Sequence, residues 1–352
     1  MVCRSSFGKL DDGREVHAHL LGQGGPLSAQ VLDLGGILAR LQWHRAEGAI
    51  PLVLGLPDAQ AYYDDPAYLG IVVGRFGNRI AGARYFLDGQ EYRLVANEGH
   101  NHLHGGRLGF GRQLWQVLAQ AEDRLELAYH SPEGEEGYPG ALDMRAIYTI
   151  QGNRLSLDLE AHCDAATPFN PTHHPYFNLA GDPRVPASAQ WLQVPASGYL
   201  PVDATLIPSG QVASVASSPL DFRRARTLEA AAIGGHRQLD IAGGYDHCLV
   251  LDPAVEACAR LYSPQSGIAM CILSDVPALQ LYGGHGLDRQ HPGLGRGICL
   301  EPQGFPDAPN RPDFPDSILR PGSVFKRRIQ YRFAEPGPDR DWDEVVQALA
   351  AA

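Results

Sequence analysis

Apolar and polar residues alternate over several short segments of this chain. Segment 124–129 places an apolar residue at every second position, and segments 144–150 and 154–160 repeat the pattern. Because successive side chains of a strand point to opposite faces, the pattern predicts strands with one buried face. Residues 151–153, Gln-Gly-Asn, can turn the chain between the last two. These segments are expected to form an antiparallel meander.

Glycines interrupt the apolar segments nearer the N-terminus. Two apolar runs, 29–36 and 37–43, meet at a pair of glycines, which is typical of strands with tight bends. Further along, segments 85–87 and 90–94 flank Asp88-Gly89, a pair that favours the positive φ angles of a two-residue hairpin turn. We therefore predict a tight β-hairpin here.

The C-terminal region contains a strand pattern followed by a helix pattern. Residues 325–333 alternate, with the aromatic and aliphatic residues and Arg327 on one face. Segment 341–349 begins with acidic residues, which suit a helix N-terminus, and predicts a short helix within a tail at about 338–352. Many short strands and few short helices favour an all-β protein, a large antiparallel β-sandwich. We expect it to form a single domain that spans residues 1–352.

Charge narrows the classes of ligand. The 352 residues include 29 Lys and Arg against 40 Asp and Glu, a net charge of −11. Nucleic-acid binding needs a basic face, so no nucleic-acid partner is expected. No uncharged run approaches the roughly 18 residues that span a bilayer, so no membrane partner is expected either. The charge suits a protein that binds a small neutral molecule.

The cysteines and the N-terminus indicate a compartment. The six cysteines have no Cys-x-x-Cys spacing, so neither a zinc knuckle nor a redox pair is indicated. They are Cys3, Cys163, Cys248, Cys258, Cys271 and Cys299. We expect buried free thiols of a reducing cytosol. Residues 1–9 contain no apolar core of signal-peptide length. The expected location is cytoplasmic.

Two adjacent histidines lie between prolines. Pro171 and Pro175 flank His173-His174, and because proline restricts its own φ and the preceding residue, the segment is expected to be extended. Neighbouring side chains on an extended segment point to opposite faces, so only one imidazole can face a given cavity. The alternative is a pair of hydrogen-bonded core histidines.

Three further histidines alternate at His100, His102 and His104. On an extended segment all three could face one way, as metal-binding imidazoles do. Alternatively, Gly105-Gly106 lets the backbone approach a ligand beside one imidazole. We favour the second interpretation, because a metal site also needs a fourth position and a second shell that nothing nearby in the sequence marks.

Other candidate residues lie among glycines or at strand ends. Arg75, Asn78 and Arg79 can present planar groups with several donors to hydroxyl or carboxylate oxygens, or can be ion-paired turn residues. An apolar run ends at Glu301, before a proline-rich segment that cannot continue a central strand. We therefore expect this carboxylate where a strand opens into a loop, a position typical of catalytic groups. The alternative is a solvated side chain.

Taken together and in order, these segments resemble the aldose 1-epimerase family, the galactose mutarotases. The matching segments are 74–80, 87–89, 101–106, 136–140, 172–179, 245–247, 301–303 and 305–308. The chain departs from the family pattern in three places: Gly77 replaces an Ala, His173 replaces an Asn, and Gly-Gly-His at 283–285 replaces Thr-Gly-Asn.

The resemblance implies a galactose mutarotase-like supersandwich with an open sugar cleft, no cofactor and no metal. It implies interconversion of the anomers of free aldohexoses such as galactose and glucose. The expected assembly is a monomer or homodimer. By this resemblance, Glu301 stands at the position of the general base, His174 at that of the general acid and His104 at that of a second imidazole near the ring oxygen. The residues that resemble hydroxyl-binding positions are Asn78, Arg79, Tyr176, Asp246 and Gln280.

Three other functions compete with this interpretation. One is a metal-dependent sugar isomerase or lyase that uses the three alternating histidines. Another is a catalytically silent sugar-binding or sensor protein on the same fold. A glycosidase would need two carboxylates flanking the bond, such as Glu301 and Asp246, and would leave His174 without a role.

Overall fold

The computed structural model describes residues 4–233, 235–253 and 255–352. In the first half the strands are β1 Arg4–Lys9, β2 Glu15–Leu21, β3 Leu27–Leu32, β4 Leu38–Arg45, β5 Gly48–Pro51, β6 Val72–Val73, β7 Arg79–Ile80, β8 Arg84–Leu87, β9 Gln90–Arg93, β10 His102–Leu103, β11 Gln116–Gln120, β12 Arg124–Ser131, β13 Leu142–Gln151, β14 Arg154–Cys163, β15 Thr167–Pro168 and β16 Thr172–His173.

In the second half the strands are β17 Trp191–Gln193, β18 Ala196–Tyr199, β19 Ala213–Ser214, β20 Arg226–Thr227, β21 Asp246–Leu251, β22 Ala259–Ser263, β23 Ile268–Leu273, β24 Ala278–Tyr282, β25 Cys299–Gln303, β26 Ile318–Leu319 and β27 Phe325–Ala334. The α-helices are α1 Ala59–Tyr63, α2 Leu228–Ala232, α3 Arg237–Ala242, α4 Leu287–Gln290 and α5 Trp342–Ala351.

Three antiparallel sheets make up the framework. The largest has nine strands in the order β11-β12-β13-β14-β27-β23-β22-β17-β20. The N-terminal sheet is a meander of β1 to β5, and a second five-stranded sheet has the order β19-β18-β21-β24-β25. The fold is all-β and antiparallel, as the alternation predicts, because each strand has one apolar face that must be covered by another layer.

The main core lies between these sheets. Tyr148 of β13 and Tyr331 of β27 point inward from the nine-stranded sheet and share one apolar cluster with Leu41 of β4 and Leu279 of β24. The inner face of the largest sheet therefore packs against both five-stranded sheets. The opposite face of the β21-β24-β25 layer is consequently available for polar side chains.

The local predictions from sequence are confirmed in detail. Strands β8 and β9 pair around Asp88 and Gly89, whose φ angles are 50° and 84°. Strands β12, β13 and β14 form the predicted meander. Helix α5 starts at a capping box in which Asp341 and Glu344 bond each other's backbone. These features depend on residues only a few positions apart.

One local prediction is wrong. Glu301 does not end its strand but occupies the middle of β25, which continues through Pro302 to Gln303. Proline is tolerated there because β25 is the edge strand of its sheet and needs no ladder donor on its free side.

Five cysteines fall within the described residues, and all are buried free thiols as expected. The expectation for Cys3 lies outside the described residues. No helix in the described part of the chain is both long and apolar enough to cross a membrane.

Candidate active site

A cleft of about 690 Å³ opens beside the free face of the β21-β24-β25 layer. Seven of the eight predicted site residues line it, namely Asn78, Arg79, His104, His174, Tyr176, Asp246 and Glu301. The eighth, Gln280, is buried and donates from Nε2 to Oδ1 of Asp246 over 2.5 Å. The fold thus gathers residues from distant segments around one cavity.

The two adjacent histidines point to opposite sides, as predicted. His173 belongs to β16, which pairs with β6, and its imidazole lies in the core between the hydroxyls of Tyr148 (3.2 Å) and Tyr331 (2.9 Å). His174 lines the cleft. Because the segment is extended, fixing one ring in the core aims the other at the cavity.

Strand register places the carboxylates. On one face of the second five-stranded sheet, Gln280 of β24 lies opposite Glu301 of β25, and Asp246 of β21 lies opposite Tyr282 of β24. Opposite residues of an antiparallel pair share a face, so these polar side chains form one patch at the base of the cleft.

His174 and Glu301 meet at the base of the cleft. Nε2 of His174 is 3.5 Å from Oε1 of Glu301, and both side chains are at least 95 % buried. Oε2 of Glu301 has no hydrogen-bond partner among the described residues. A carboxylate oxygen and an imidazole nitrogen are therefore poised within one small volume, with capacity to bond a ligand.

Burial shifts the proton affinities of both groups. It lowers the pKa of His174 to about 4 and, with the negative charge of Asp246, raises the pKa of Glu301 well above its usual range. Both shifts have the same cause, which is that a dry environment disfavours the charged form of each group. The pair therefore favours a neutral carboxyl beside a neutral imidazole when the cleft is empty.

His104 presents a nitrogen donor to the cleft. Its Nδ1 accepts a hydrogen bond of 3.2 Å from the backbone N–H of Asn78. A neutral imidazole carries one proton, so this bond places the proton on Nε2, the ring nitrogen left for a ligand. Burial, and then the neighbouring His174, lower the pKa of His104 well below its usual range, which favours that neutral donor form.

The alternative in which the three alternating histidines face one way does not hold in the structure. His102 is buried, with Nδ1 2.7 Å from the Val95 carbonyl oxygen and Nε2 2.7 Å from the Tyr138 hydroxyl, and His100 is exposed. The alternation fails because β10 spans only two residues and His104 follows it with a positive φ of 51°.

A different trio is close enough to hold a metal ion. Ligand atoms of His104, His174 and Glu301 lie within 4.8 Å of one another, the sole such group in the described residues. A metal at Nε2 of His104 would have to displace the proton that Asn78 directs there. The donor set therefore fits an acid/base site better than a metal site.

The arginine and acid at the cleft wall form an ion-pair chain. Nε and Nη2 of Arg79 each donate to one oxygen of Glu98 over 2.7 Å, and Nη1 lies 3.6 Å from Oδ2 of Asp246. The bidentate bond to Glu98 fixes the plane of the Arg79 guanidinium. Its remaining nitrogen, Nη1, points toward Asp246 and the cleft.

Several lining residues lacked a distinctive sequence pattern. Glu98 and Tyr68 stand in ordinary loop sequence, yet the ring of Tyr68 lies 4.8 Å from that of His104 and 6.3 Å from that of His174. Tyr176 also lines the cleft, but its hydroxyl donates to the Ala67 carbonyl over 2.8 Å. Tyr68, Asn78 and His104 all adopt positive φ, a conformation that is uncommon for residues other than glycine.

Two other predicted candidates have structural roles. Arg75 is buried and donates to the backbone carbonyls of Ser131, Pro132 and Pro139. A Cβ on Gly105 would meet the Gly74 oxygen at 1.8 Å, so this glycine lets two backbone segments cross rather than admitting a ligand.

The chain is similar to known proteins over most of its length. The family model described as aldose 1-epimerase matches residues 17–332. A galactose mutarotase of Rattus norvegicus is 36 % identical, with 95 % of this chain and 98 % of the relative covered. An aldose 1-epimerase of Escherichia coli is 32 % identical, with 92 % and 96 % covered. A solved aldose epimerase homologue from C. elegans superposes with a TM-score of 0.83 at 30 % identity, with 90 % and 99 % covered.

Proposed function

Because this chain belongs to the aldose 1-epimerase family, we propose that it interconverts the α and β anomers of free aldohexoses such as galactose and glucose. The observation that carries the mechanism is the 3.5 Å separation between His174 Nε2 and Glu301 Oε1 in a buried corner of the cleft. The hydroxyl oxygen on C1 and the ring oxygen are bonded to the same carbon, so two groups this close can contact both at once.

Ring opening is a coupled transfer of two protons. Glu301, as carboxylate, takes the proton from the C1 hydroxyl, and His174, as imidazolium, gives a proton to the ring oxygen. The C1–O5 bond breaks, its electron pair leaves on O5, and C1 becomes an aldehyde. Rotation about C1–C2 followed by closure with both roles reversed gives the other anomer.

The direction of the pKa shifts supports this scheme. Besides the N–H that the neutral imidazole keeps, the pair shares one titratable proton, on His174 before opening and on Glu301 after it. Burial, which lowers the pKa of His174 and raises that of Glu301, favours the neutral pair that follows the transfer. The neutral pair is also the favoured state of the empty cleft, so the bound sugar must first draw the proton from Glu301 to His174 across the 3.5 Å between them. Ring opening then returns the pair to its neutral state, and closure reverses the transfer because the sugar aldehyde is itself less stable than the ring.

The remaining lining residues orient the sugar. We assign hydroxyl binding to Asn78, Arg79, Tyr176 and Asp246, and assistance at the ring oxygen to Nε2–H of His104. Gln280 lies behind Asp246 and acts on the sugar through that carboxylate, which accepts its amide hydrogen bond. The chain Glu98-Arg79-Asp246 keeps the binding groups in fixed positions before the sugar arrives.

No cofactor is needed for the proposed reaction. Sugars mutarotate in water without a catalyst, and each positioned acid or base contributes roughly 10²–10⁴-fold. Glu301 and His174 together supply one of each.

Optical rotation tests the proposal. Fresh α-D-galactose or α-D-glucose is added to the wild-type protein, and the approach to the equilibrium rotation is followed. We expect a rate well above the spontaneous one. A wild-type protein that binds sugar in a calorimeter but leaves the spontaneous rate unchanged would instead be a sugar-binding or sensor protein, and the proposal would be wrong.

We further propose that the protein folds as one domain over 1–352, acts in the cytoplasm as a monomer or homodimer, and binds no nucleic acid. Buried free thiols support a reducing compartment, and the net charge of −11 opposes nucleic-acid binding. Sedimentation of the purified chain and a single cooperative unfolding transition would test the assembly state and the domain organisation.

A further inference from the structure

Cys299 contacts the ring nitrogen of His174 that does not face the base. Its Sγ is 3.6 Å from Nδ1, whereas Nε2 is the nitrogen 3.5 Å from Glu301. What bonds one nitrogen of a neutral imidazole decides which nitrogen carries the proton. The thiol therefore lies where it can control the proton on Nε2.

We propose that Cys299 is a positioning residue that sets the orientation and proton distribution of His174 during anomer interconversion. This rests on the proposed function. A thiol is both a weak donor and a weak acceptor. It can donate to Nδ1 of the neutral ring, which puts the proton on Nε2, and it can accept Nδ1–H from the imidazolium. One side chain thus serves both protonation states of the cycle.

The strand that carries Cys299 reinforces this role. Cys299 stands two residues before Glu301 on β25, so the base and the partner of the acid share one face of one strand. Burial, and then the charge of Glu301, raise the pKa of the thiol well above its usual range. The group therefore stays protonated at neutral pH, as a donor to Nδ1 must be, and does not act as a nucleophile.

Groups on several elements influence the titration of His174. They are Glu301 and Cys299 on β25, Asp246 on β21, His173 on β16, and His104, Asp65, Tyr68 and Tyr176 in connecting segments. Cys299 differs from the rest because its side-chain atom contacts Nδ1 directly. Its removal should alter the tautomer without changing any formal charge in the cleft.

Three variants test the role. Cys299→Ala removes both donor and acceptor, and Cys299→Ser restores them with a hydroxyl. Cys258→Ala is the matched control, since Cys258 is also a fully buried thiol, but its Sγ donates to the Ser274 carbonyl over 3.3 Å, whereas that of Cys299 contacts His174. For each variant, kcat and KM are determined separately from optical-rotation assays over a range of sugar concentrations and pH values.

We expect Cys299→Ala to lose about tenfold in kcat, the order of one hydrogen bond to a charged group, with KM within about twofold. The alkaline limb of its kcat profile should move to lower pH, because the imidazolium has lost an acceptor. Cys299→Ser should recover most of kcat, and Cys258→Ala should match wild type. Equal pH profiles for Cys299→Ala and wild type would overturn the proposal.

Nuclear magnetic resonance of ¹⁵N-labelled histidine separates this inference from the proposed function. In the wild type the neutral His174 ring should carry its proton on Nε2, and Cys299→Ala should shift that tautomer population. Peaks are assigned with His174→Asn. Because the spectrum needs no turnover, an inactive wild type with the expected tautomer would refute only the enzyme activity, whereas a wild-type proton on Nδ1 would refute the role of Cys299.

Discussion

Nε2 of His174 and Oε1 of Glu301 lie 3.5 Å apart at the base of the cleft. The two residues come from different sheets, since His174 follows β16, which pairs with β6, and Glu301 is the central residue of β25. Their proximity places a potential acid and a potential base on the two oxygens of one anomeric carbon.

Replacing the base should abolish most of the activity while preserving the fold. Glu301→Gln keeps the shape of the side chain but cannot accept the C1 hydroxyl proton, so kcat should fall by roughly 10²–10⁴-fold. Because burial already raises the pKa of Glu301, a neutral amide should not weaken the fold. Polarimetry and urea unfolding measure both effects. Glu160→Gln, whose carboxylate pairs with Lys326 away from the cleft, is the control.

The adjacent histidines should differ sharply in their effect on rate. His174→Asn removes the proposed acid, and kcat should fall by roughly 10²–10⁴-fold. His173→Asn alters a core residue bonded to Tyr148 and Tyr331, and its kcat should remain within about threefold of wild type. Optical-rotation assays at saturating sugar compare them. The assignment fails if His174→Asn turns over sugar as fast as His173→Asn does.

His173 should also make the fold sensitive to acid. Burial lowers its pKa to about 3, against about 6.5 in the unfolded chain. Between these values the unfolded chain binds a proton that the folded protein does not, so stability falls as pH falls, by up to about 1.4 kcal/mol per unit. His173→Asn should make this dependence shallower by that amount.

The measurement for this third prediction is urea unfolding from pH 7 down to pH 5. The exposed His162, on the outer face of β14, provides the control variant His162→Asn. Parallel curves for wild type and His173→Asn would show that the buried imidazole does not set the acid sensitivity.

Removing the charge of Asp246 should affect both binding and titration. Asp246 faces Nη1 of Arg79 and accepts from Gln280, so Asp246→Asn should raise KM by about tenfold through loss of a charged acceptor. Its charge also raises the pKa of His174 against the effect of burial, so without it the imidazolium should lose its proton at lower pH and the alkaline limb of kcat/KM should move to lower pH. Asp143→Asn, on the outer surface, is the control. An alkaline limb at the same pH in Asp246→Asn and wild type would show that the charge of Asp246 does not influence the catalytic pair.

A chelator should leave the rate unchanged. The trio His104, His174 and Glu301 is close enough to hold a metal ion, but the Asn78 N–H on Nδ1 of His104 directs the ring proton to Nε2. We therefore expect equal rates before and after dialysis against EDTA, with substoichiometric metal by elemental analysis. Loss of activity that Zn²⁺ restores would favour the metal-dependent isomerase instead.

Features that depend on near neighbours were predictable from the sequence. The alternation of β12 to β14, the hairpin at Asp88-Gly89 and the capped start of α5 all follow from residues within a few positions of each other. The opposite orientation of His173 and His174 follows from an extended backbone. The ordered motifs also identified the family, which the comparison with known proteins confirms.

Tertiary structure alone decided how distant segments meet. Because β25 is an edge strand, it continues through Pro302 and holds Glu301 at its centre. Because β10 is only two residues long, His102 and His104 point in different directions. The guanidinium of Arg79 is bound by Glu98, which is distant in the sequence. The contact of Cys299 with His174 has no counterpart in the local sequence, where the thiol is one member of an apolar run. Such contacts depend on strand register and layer packing, which join residues far apart in the chain, and local patterns do not encode which partners will pair.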